Sequence, residues 1–217
     1  MSEFSIYAAS IDDRELINKP IVVSWWAGAG YKDHADRLIE SLSAWRNDEV
    51  GYLILRSDYD RRGWEANCAR KPQAVLAAMN LYPNRSFVWL DADATVVRRL
   101  MWHDLFSSGY DLTCLRPRDR WPGRVNSGLL SGTLAFASTS KARKIVEVWA
   151  ARCAEKPGDL DQDTLLRIVD DNERLGTIRV KDLDPRYVCI PDLMPDVANP
   201  IVIHHQASRS AECRFIQ

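Results

Sequence analysis

The sequence predicts an α/β domain with a mixed or parallel central sheet that is covered by helices on both faces. Residues 87–90 (F-V-W-L) form an apolar run led by β-favouring residues, which is typical of a strand buried on both faces. Upstream, a strand, a helix and a second strand follow at the spacing of a βαβ unit. The 217 residues suffice for one full hydrophobic core, so we expect a single domain over residues 1–217.

The composition is that of an ordinary soluble protein, with 46% hydrophobic and 27% charged residues. The net charge of −1 gives no overall field that favours nucleic acid or a membrane surface, and the apolar runs are too short to span a bilayer. The first ten residues lack the pattern of a signal peptide. Widely spaced cysteines without a C-x-x-C pair indicate reduced thiols in a cytoplasmic protein: Cys68, Cys114, Cys153, Cys189 and Cys213. The oligomeric state stays open.

The first half of the chain alternates predicted strands and helices. We expect a first strand at 21–26, a flexible turn at 27–30, a helix at 33–45 and a second strand at 52–55. The turn holds only two glycines of a dinucleotide-binding fingerprint, which disfavours a Rossmann dehydrogenase. Lys71 and Pro72 open the next helix, because proline is favoured in the first helical turn. That helix ends near Pro83 and leads into the strand at 87–90.

The second half predicts shorter elements. We expect a helix near 101–106, a strand at 111–115, a loop at 116–124 and an apolar segment at 134–137. Ser138 or Ser140 can cap a helix that runs to about residue 153, and a further helix begins at 161. Short strands are predicted at 178–180, 188–190 and 201–203. The chain contains no internal repeat.

Two carboxylates end the buried strand at 87–90. Asp91 and Asp93 flank a small alanine, and in an extended chain such residues point the same way, roughly 7 Å apart. The carboxyl edge of an open α/β sheet is where ligands bind. Paired carboxylates there suit a hard divalent cation that keeps positions open for phosphate oxygens. A solvated turn that happens to carry two acids is the alternative.

Five motifs in order resemble the GT-A nucleotide-sugar glycosyltransferases. They are the K-P helix start, D-x-D, N-S-G or S-G-T at 126–133, D-Q at 161–162, and a late histidine after an apolar strand. The order is most similar to the small glycogenin-like nucleotide-diphospho-sugar transferases and covers about residues 21–209. The resemblance implies a mixed α/β sandwich, a UDP- or GDP-linked sugar donor with UDP favoured, and Mn²⁺ or Mg²⁺ as cofactor.

The resemblance also implies roles for particular residues. Asp91 and Asp93 match the D-x-D motif, and Asp161 and Gln162 match the D-Q pair, which would act on the donor sugar. His204 matches the late histidine that completes the metal site, although the adjacent His205 can take that role. The chain is short for this fold, and the glycogenin-type H-x-x-G-x-x-K-P-W ending is replaced by H-H-Q-A-S-R.

The predicted donor-binding residues lie at four places in the sequence: Trp25, Trp26 and Ala27 after the first strand, Lys71, the segment Asp91, Ala92 and Asp93, and the segment Ser131, Gly132 and Thr133. Two carboxylates and one imidazole suit Mn²⁺ somewhat better than Mg²⁺. A bound cation would neutralise the charge that develops on the leaving diphosphate.

Each of these assignments has a structural alternative. Lys71 can be a solvated helix start, one of the two tryptophans can be core, and Asp161 can be a helix N-cap. His204 can be a core histidine bonded to a backbone carbonyl.

Two other function classes fit the same acidic motif. D-x-D-x-T after a strand also resembles haloacid-dehalogenase-type phosphatases, in which Asp91 would be the nucleophile, Asp93 the acid and base, and Asp170 and Asp171 a later metal pair. The position of the motif, after two strands and two helices, argues against that reading. A protein that binds a nucleotide sugar without turnover is the third class.

Four arginines fall within nine residues of the predicted loop, next to a tryptophan: Arg116, Arg118, Arg120, Arg124 and Trp121. Because the whole chain is near neutral, this cluster predicts an anionic acceptor, such as a phosphorylated glycan, a lipid head group or a hydroxylated DNA base. Alternatively, the arginines pair with Asp104, Asp111 and Asp119. Whether the reaction inverts or retains the anomeric centre stays open.

Overall fold

The computed structural model describes residues 3–11, 19–45, 51–117, 120–121 and 128–206. Nine strands are present among these residues: β1 (Ser5–Ser10), β2 (Ile21–Ala27), β3 (Gly51–Ser57), β4 (Phe87–Leu90), β5 (Ala94–Val96), β6 (Leu112–Leu115), β7 (Leu130–Phe136), β8 (Val180–Asp182) and β9 (Val202–His204). Seven of them form one mixed sheet in the order β1-β3-β2-β4-β7-β6-β8, and β5 and β9 form a separate two-stranded ribbon.

Six helices accompany the strands: α1 (Lys32–Ser43), α2 (Trp64–Cys68), α3 (Lys71–Leu81), α4 (Trp102–Leu105), α5 (Ser140–Glu155) and α6 (Asp161–Arg174). One face of the sheet, with Trp89 at its centre, packs against α3, α5 and α6. The opposite face, with Leu90 at its centre, packs against α1 and the β5–β9 ribbon. The helix-covered mixed sheet is the predicted α/β class. No helix in the described part of the chain combines the length and the apolar composition needed to cross a bilayer.

The position of β4 at the centre of the sheet explains why its four residues are all apolar. It pairs in parallel with β2 and antiparallel with β7, so both of its edges are hydrogen-bonded. All four side chains are buried, two on each face of the sheet. The prediction of a strand buried on both faces is confirmed.

The structure corrects several predicted elements. The first strand is β1, sixteen positions ahead of the expected one, and it pairs antiparallel with β3 at the edge of the sheet. Helix α5 is capped by Thr139, whose side chain accepts from the backbone of Ala142, and not by Ser138 or Ser140. The predicted strand at 188–190 is a single bridge between Cys189 and Ile203. Cys68, Cys114, Cys153 and Cys189 are free thiols, as predicted, and Cys213 lies outside the described residues.

The segment after β4 is a tight turn and not the extended chain expected from the D-x-D spacing. The backbone N–H of Ala94 donates to the carbonyl oxygen of Asp91 at 2.9 Å, which reverses the chain into β5. Strand β9 then pairs with β5, with Ala94 opposite His204. The ribbon therefore brings a histidine more than one hundred residues later in the chain to the acidic turn.

Candidate metal centre and pocket

Two carboxylates and one imidazole converge at the end of β4. Asp91, Asp93 and His204 each offer one ligand atom, and these three atoms all lie within 4.8 Å of one another. Asp93 and His204 are buried, whereas Asp91 is half-buried and faces a pocket. One imidazole nitrogen and two carboxylate oxygens at this spacing suit a divalent metal ion that keeps further coordination positions open.

The imidazole of His204 is held in one tautomer, in which Nδ1 keeps its lone pair. The hydroxyl of Thr133 donates to the carbonyl oxygen of Tyr187 at 2.6 Å, so its oxygen accepts from Nε2 of His204 at 2.9 Å. Nδ1 of His204 is buried and makes no hydrogen bond within the described chain. Burial lowers the pKa of His204, although Asp91 and Asp93 act in the opposite direction. A neutral ring with a free Nδ1 lone pair is the form that coordinates a cation.

Gly132 provides the space for that ring. A Cβ at this position would lie 2.9 Å from both Cε1 and Nδ1 of His204, a separation that real Cβ atoms do not show. The carbonyl oxygen of Gly132 also accepts from the backbone N–H of Asp91 at 2.9 Å. Gly132 and Thr133 therefore lie directly against Asp91 and His204 and position them.

The neighbouring His205 has a different environment. Its ring is exposed, and Nε2 lies 2.9 Å from the hydroxyl of Thr95. The structure therefore brings His204, and not His205, to the two carboxylates. The alternative of a core histidine bonded to a backbone carbonyl is wrong, since the partner of its Nε2 is a threonine hydroxyl.

The carboxylate of Asp91 is oriented by two donors. The indole N–H of Trp89 lies 2.8 Å from Oδ1, and Nζ of Lys71 lies 2.9 Å from the same oxygen. Both contacts use Oδ1, which leaves Oδ2 as the oxygen to bind a cation. The arrangement is the usual one for metal-binding carboxylates, which are themselves hydrogen-bonded.

Lys71 joins the acidic turn to the start of α6. Its Nζ lies 3.1 Å from Oδ2 of Asp161 and donates to the hydroxyl of Ser131 at 2.9 Å; Ser131 in turn donates to Asp161 at 2.9 Å. Burial lowers the pKa of Lys71, but Asp161 and Asp91 outweigh it and hold the pKa above its usual range, so the side chain is an ammonium. The alternative of a solvated lysine is wrong. Asp161 does not cap α6 either, because the N-cap is Leu160.

A cavity of about 710 Å³ opens beside this cluster. Ten of the predicted site residues line it: Trp25, Trp26, Ala27, Lys71, Asp91, Ala92, Asp93, Ser131, Asp161 and Gln162. Both tryptophans reach the cavity, Trp25 from the core on one face of the sheet and Trp26 from the other. The carboxyl ends of β2 and β4 thus meet the start of α6 around one space, as expected for the ligand-binding edge of such a sheet.

Solved structures share this architecture. A glycosyltransferase involved in glycosylation of the major capsid of PBCV-1 matches with a TM-score of 0.67 at 16% identity, over 89% of this chain and 95% of that one. The galactosyltransferase LgtC matches with a TM-score of 0.53 at 14% identity, over 90% and 93%. The chain has the GT-A fold. The glycosyltransferase GlyE of Streptococcus pneumoniae TIGR4 also matches this fold, with a TM-score of 0.55 at 15% identity, over 86% of this chain and 55% of GlyE. No protein-family model and no curated protein sequence matches the chain.

The GT-A fold of this chain has a pocket wall that the sequence did not predict. It comes from the segment after β3 and includes Tyr59, Trp64, Glu65, Asn67 and Cys68. Tyr59 packs against Gly28, where a Cβ would lie 3.2 Å from its ring and where φ is +78°. Helix α2 is only five residues long, so it shows no helical periodicity in the sequence. Its position at the carboxyl edge of β3 was the one available signal.

In the arginine-rich loop at 116–124, some of the side chains make contacts within the fold. The guanidinium of Arg116 pairs with Glu173 and, at 2.9 Å, with Asp182, and Trp121 is buried with its indole N–H donated to Asp196. Trp121 is therefore not a stacking surface, which corrects the prediction. Arg120 lies 3.6 Å from Asp196.

The partners suggested for these arginines were also wrong in the described part of the chain. Asp104 accepts from the hydroxyl of Tyr187, and Asp111 accepts from Thr139 and from the backbone of Arg179. Arg118, Asp119, Arg124, Asn126 and Ser127 lie outside the described residues.

The acidic pair that a phosphatase would need is not assembled. Asp171 pairs with Arg174 on an exposed part of α6. Within the described residues, Asp91, Asp93 and His204 form the one group of three or more acidic, cysteine or histidine side chains with metal-binding geometry. Together with the GT-A fold, this disfavours the haloacid-dehalogenase alternative.

Proposed function

We propose that the protein is a metal-dependent glycosyltransferase that moves a sugar from a nucleoside-diphosphate sugar, with a UDP-sugar favoured, to an acceptor hydroxyl. The observation that carries the proposal is the meeting of Asp91 and Asp93, from the turn after β4, with His204, from β9, beside a pocket of about 710 Å³ that the two carboxylates line. The GT-A fold supports it, since the matched structures are described as glycosyltransferases.

The three ligands fit a divalent cation on this chain's own geometry. Nδ1 of His204 is buried and has no hydrogen-bond partner among the described residues, and Gly132 keeps the space that the ring occupies. The donor set favours Mn²⁺ over Mg²⁺. When bound, the cation supplies positive charge to the leaving diphosphate.

Lys71 also places positive charge near the diphosphate of the donor. Its buried ammonium faces Asp91 and Asp161 at the base of the pocket. With a divalent cation present, that cation and Lys71 together balance the three carboxylates around the centre, Asp91, Asp93 and Asp161. The fourth pocket carboxylate, Glu65, belongs to the pocket wall. A dianionic donor can then approach the centre without an excess of negative charge beside it.

The two ends of the pocket suit the two ends of a nucleotide sugar. Trp25, Trp26 and Ala27 at the end of β2 offer ring faces and backbone to the base. Asp161 and Gln162 at the start of α6 line the same pocket, and their oxygens and amide can bind the sugar hydroxyls near the reacting carbon. Asp161 is held for this by Lys71 and Ser131.

A thermal-shift panel tests the proposal. UDP-, GDP-, CDP- and TDP-sugars are added with and without Mn²⁺, and one of them should raise the Tm only when Mn²⁺ is present. Asp91→Asn, Asp93→Asn and His204→Ala should each abolish that rise, whereas His205→Ala should keep it. If all three variants retain the wild-type shift, the metal centre is wrong.

A second assay separates a transferase from a phosphatase. Slow release of nucleoside diphosphate from the donor without acceptor is expected of the transferase. A burst of phosphate from an aryl phosphate, lost in Asp91→Asn, would instead indicate an aspartyl-phosphate intermediate and overturn the proposal. Tight donor binding without any hydrolysis or transfer would favour the binding protein.

A further inference from the structure

Trp64 is an exposed aromatic side chain on the wall of the pocket. It is 43% exposed, although tryptophan is usually well buried, and it lines the same cavity as the metal ligands. Its indole N–H makes no hydrogen bond within the described chain, and no ring contact to it is present there. An open aromatic face at a pocket is a binding surface for a ligand with an apolar face.

The fold holds this exposed ring on a rigid support. The side chain of Asn67 is buried and donates to the carbonyl oxygens of Asp60 at 2.9 Å and Gly63 at 2.7 Å, while it accepts from the backbone N–H of Asp60 at 2.9 Å. Gly63, with φ of +122°, then starts α2 and presents Trp64. Three hydrogen bonds of one buried amide fix the loop, so the backbone that carries the indole is ordered before a ligand arrives.

Helix α2 links the pocket rim to its base. Trp64 and Glu65 are exposed at its start, Asn67 is buried, and Lys71 follows at the base beside Asp91. Trp64 is 43% exposed, whereas Lys71 is 6% exposed and contacts Asp91. The indole therefore lies on the open side of the pocket, from which a second molecule can approach the donor.

The negative charge of the pocket wall around Trp64 indicates which kind of acceptor can bind there. Glu65 follows Trp64 in the chain, forms no ion pair among the described residues, and lines the same pocket as Asp91, Asp93 and Asp161. Such a rim repels a phosphorylated ligand but accepts hydrogen bonds from hydroxyl groups. A pyranose ring offers both features that the wall needs, namely a C–H face for the indole and hydroxyls for the carboxylate.

We infer that Trp64 and Glu65 form the acceptor subsite and that the acceptor is a glycan whose pyranose ring stacks on the indole of Trp64. This inference rests on the proposed glycosyltransferase function and narrows it. The acceptor end is a sugar hydroxyl, which disfavours a DNA base or a phosphate-rich lipid head group at this wall.

The test uses the full-length protein and methyl α- and β-pyranosides of glucose, galactose, mannose and xylose. Ligand-observed NMR measures their binding, and product analysis measures transfer from the donor that the thermal-shift panel identifies. Trp64→Ala should weaken glycoside binding and raise the acceptor KM at least tenfold, and Trp64→Phe should recover most of the loss. Glu65→Gln should raise the acceptor KM several-fold.

Controls separate this subsite from the donor site. In Trp64→Ala, the donor KM and the rate of donor hydrolysis without acceptor should stay within twofold of the wild-type values. The Tm should be unchanged. Leu81→Ala, which removes a 53% exposed side chain outside the pocket, should leave every measurement unchanged. The inference is overturned if wild type binds none of the glycosides, if Trp64→Ala binds them as wild type does, or if it raises the donor KM instead. Failure of the proposed function is recognised separately, by the absence of any metal-dependent donor binding or hydrolysis.

Discussion

The hydroxyl oxygen of Thr133 lies 2.9 Å from Nε2 of His204 and gives its own hydrogen to the carbonyl oxygen of Tyr187. A hydroxyl has one hydrogen to donate, so Thr133 can only accept from the ring, and Nε2 carries the proton. The atom that His204 can offer to a cation is therefore Nδ1. A buried threonine determines which nitrogen of the ring keeps its lone pair.

Thr133→Val should separate this role from packing, because valine has nearly the same shape without the hydroxyl. We expect the affinity for Mn²⁺ alone to fall about 10–100-fold, as is typical for loss of a partner behind a metal-binding histidine. The unpaired carbonyl of Tyr187 should cost about 1–3 kcal/mol of stability. Titration calorimetry with Mn²⁺ and urea unfolding measure the two effects. Thr133→Ser should bind Mn²⁺ nearly as wild type does; equal affinity of the valine variant would contradict the assignment.

Gly132→Ala tests the space that the imidazole needs. The added Cβ would lie 2.9 Å from the His204 ring, so the ring must move and Mn²⁺ binding should be lost together with some stability. Gly158→Ala is the matched control, since a Cβ there meets no atom within 4 Å. We expect the control to keep wild-type Tm and Mn²⁺ affinity. Retained Mn²⁺ binding by Gly132→Ala would show that His204 is not a ligand.

The sequence predicts the parts of this protein that local chemistry determines. Strand β4 is apolar on both faces because it lies at the centre of the sheet, and Pro72 signals the start of α3. Strand β1 was not predicted, because it lies at an edge and most of its side chains are partly or fully exposed, so it lacks a hydrophobic pattern. Its position is set by pairing with β3.

At the candidate site, too, the sequence predicts what neighbouring residues determine and not what distant residues determine. Asp91 and Asp93 are two residues apart and visible as a pair, and the order of family motifs pointed to His204. The tautomer of His204 depends on Thr133, 71 positions away, and the charge of Lys71 is balanced by Asp161, which follows it by ninety positions. Such contacts arise from sheet topology and carry no local pattern.

Lys71→Met should reveal what the buried ammonium does in the absence of metal. The variant leaves Asp91 and Asp161 without their shared cation, and loss of one partner of a buried ion pair costs about 3–5 kcal/mol. Urea unfolding in EDTA measures the loss. Lys71→Arg keeps the charge and should lose less. Mn²⁺ should restore part of the stability of Lys71→Met through Asp91; an unchanged unfolding midpoint in EDTA would contradict the pairing.

The prediction of an anionic acceptor at the arginine loop can be tested separately from the glycan subsite. Arg116 is committed to Glu173 and Asp182, so Arg116→Ala should lower stability by up to about 1 kcal/mol and leave any polyanion binding unchanged. Arg120 is about half exposed, and its one described ion pair, with Asp196, is long at 3.6 Å. Of the two loop arginines in the described part of the chain, Arg120 is therefore the better able to contact a phosphate.

The combined Arg118→Ala and Arg120→Ala variant measures this contribution. If the acceptor is anionic, binding of heparin, duplex DNA or single-stranded DNA to wild type should weaken steeply with salt, and the variant should reduce the salt slope by about 1 for each phosphate contact removed. Donor affinity should not change. Titrations at several salt concentrations, with Arg116→Ala as the matched control, decide the matter. Salt-independent or undetectable binding of all three polyanions to wild type would remove the anionic acceptor and leave a neutral glycan, which is the chemistry that the acidic wall beside Trp64 favours.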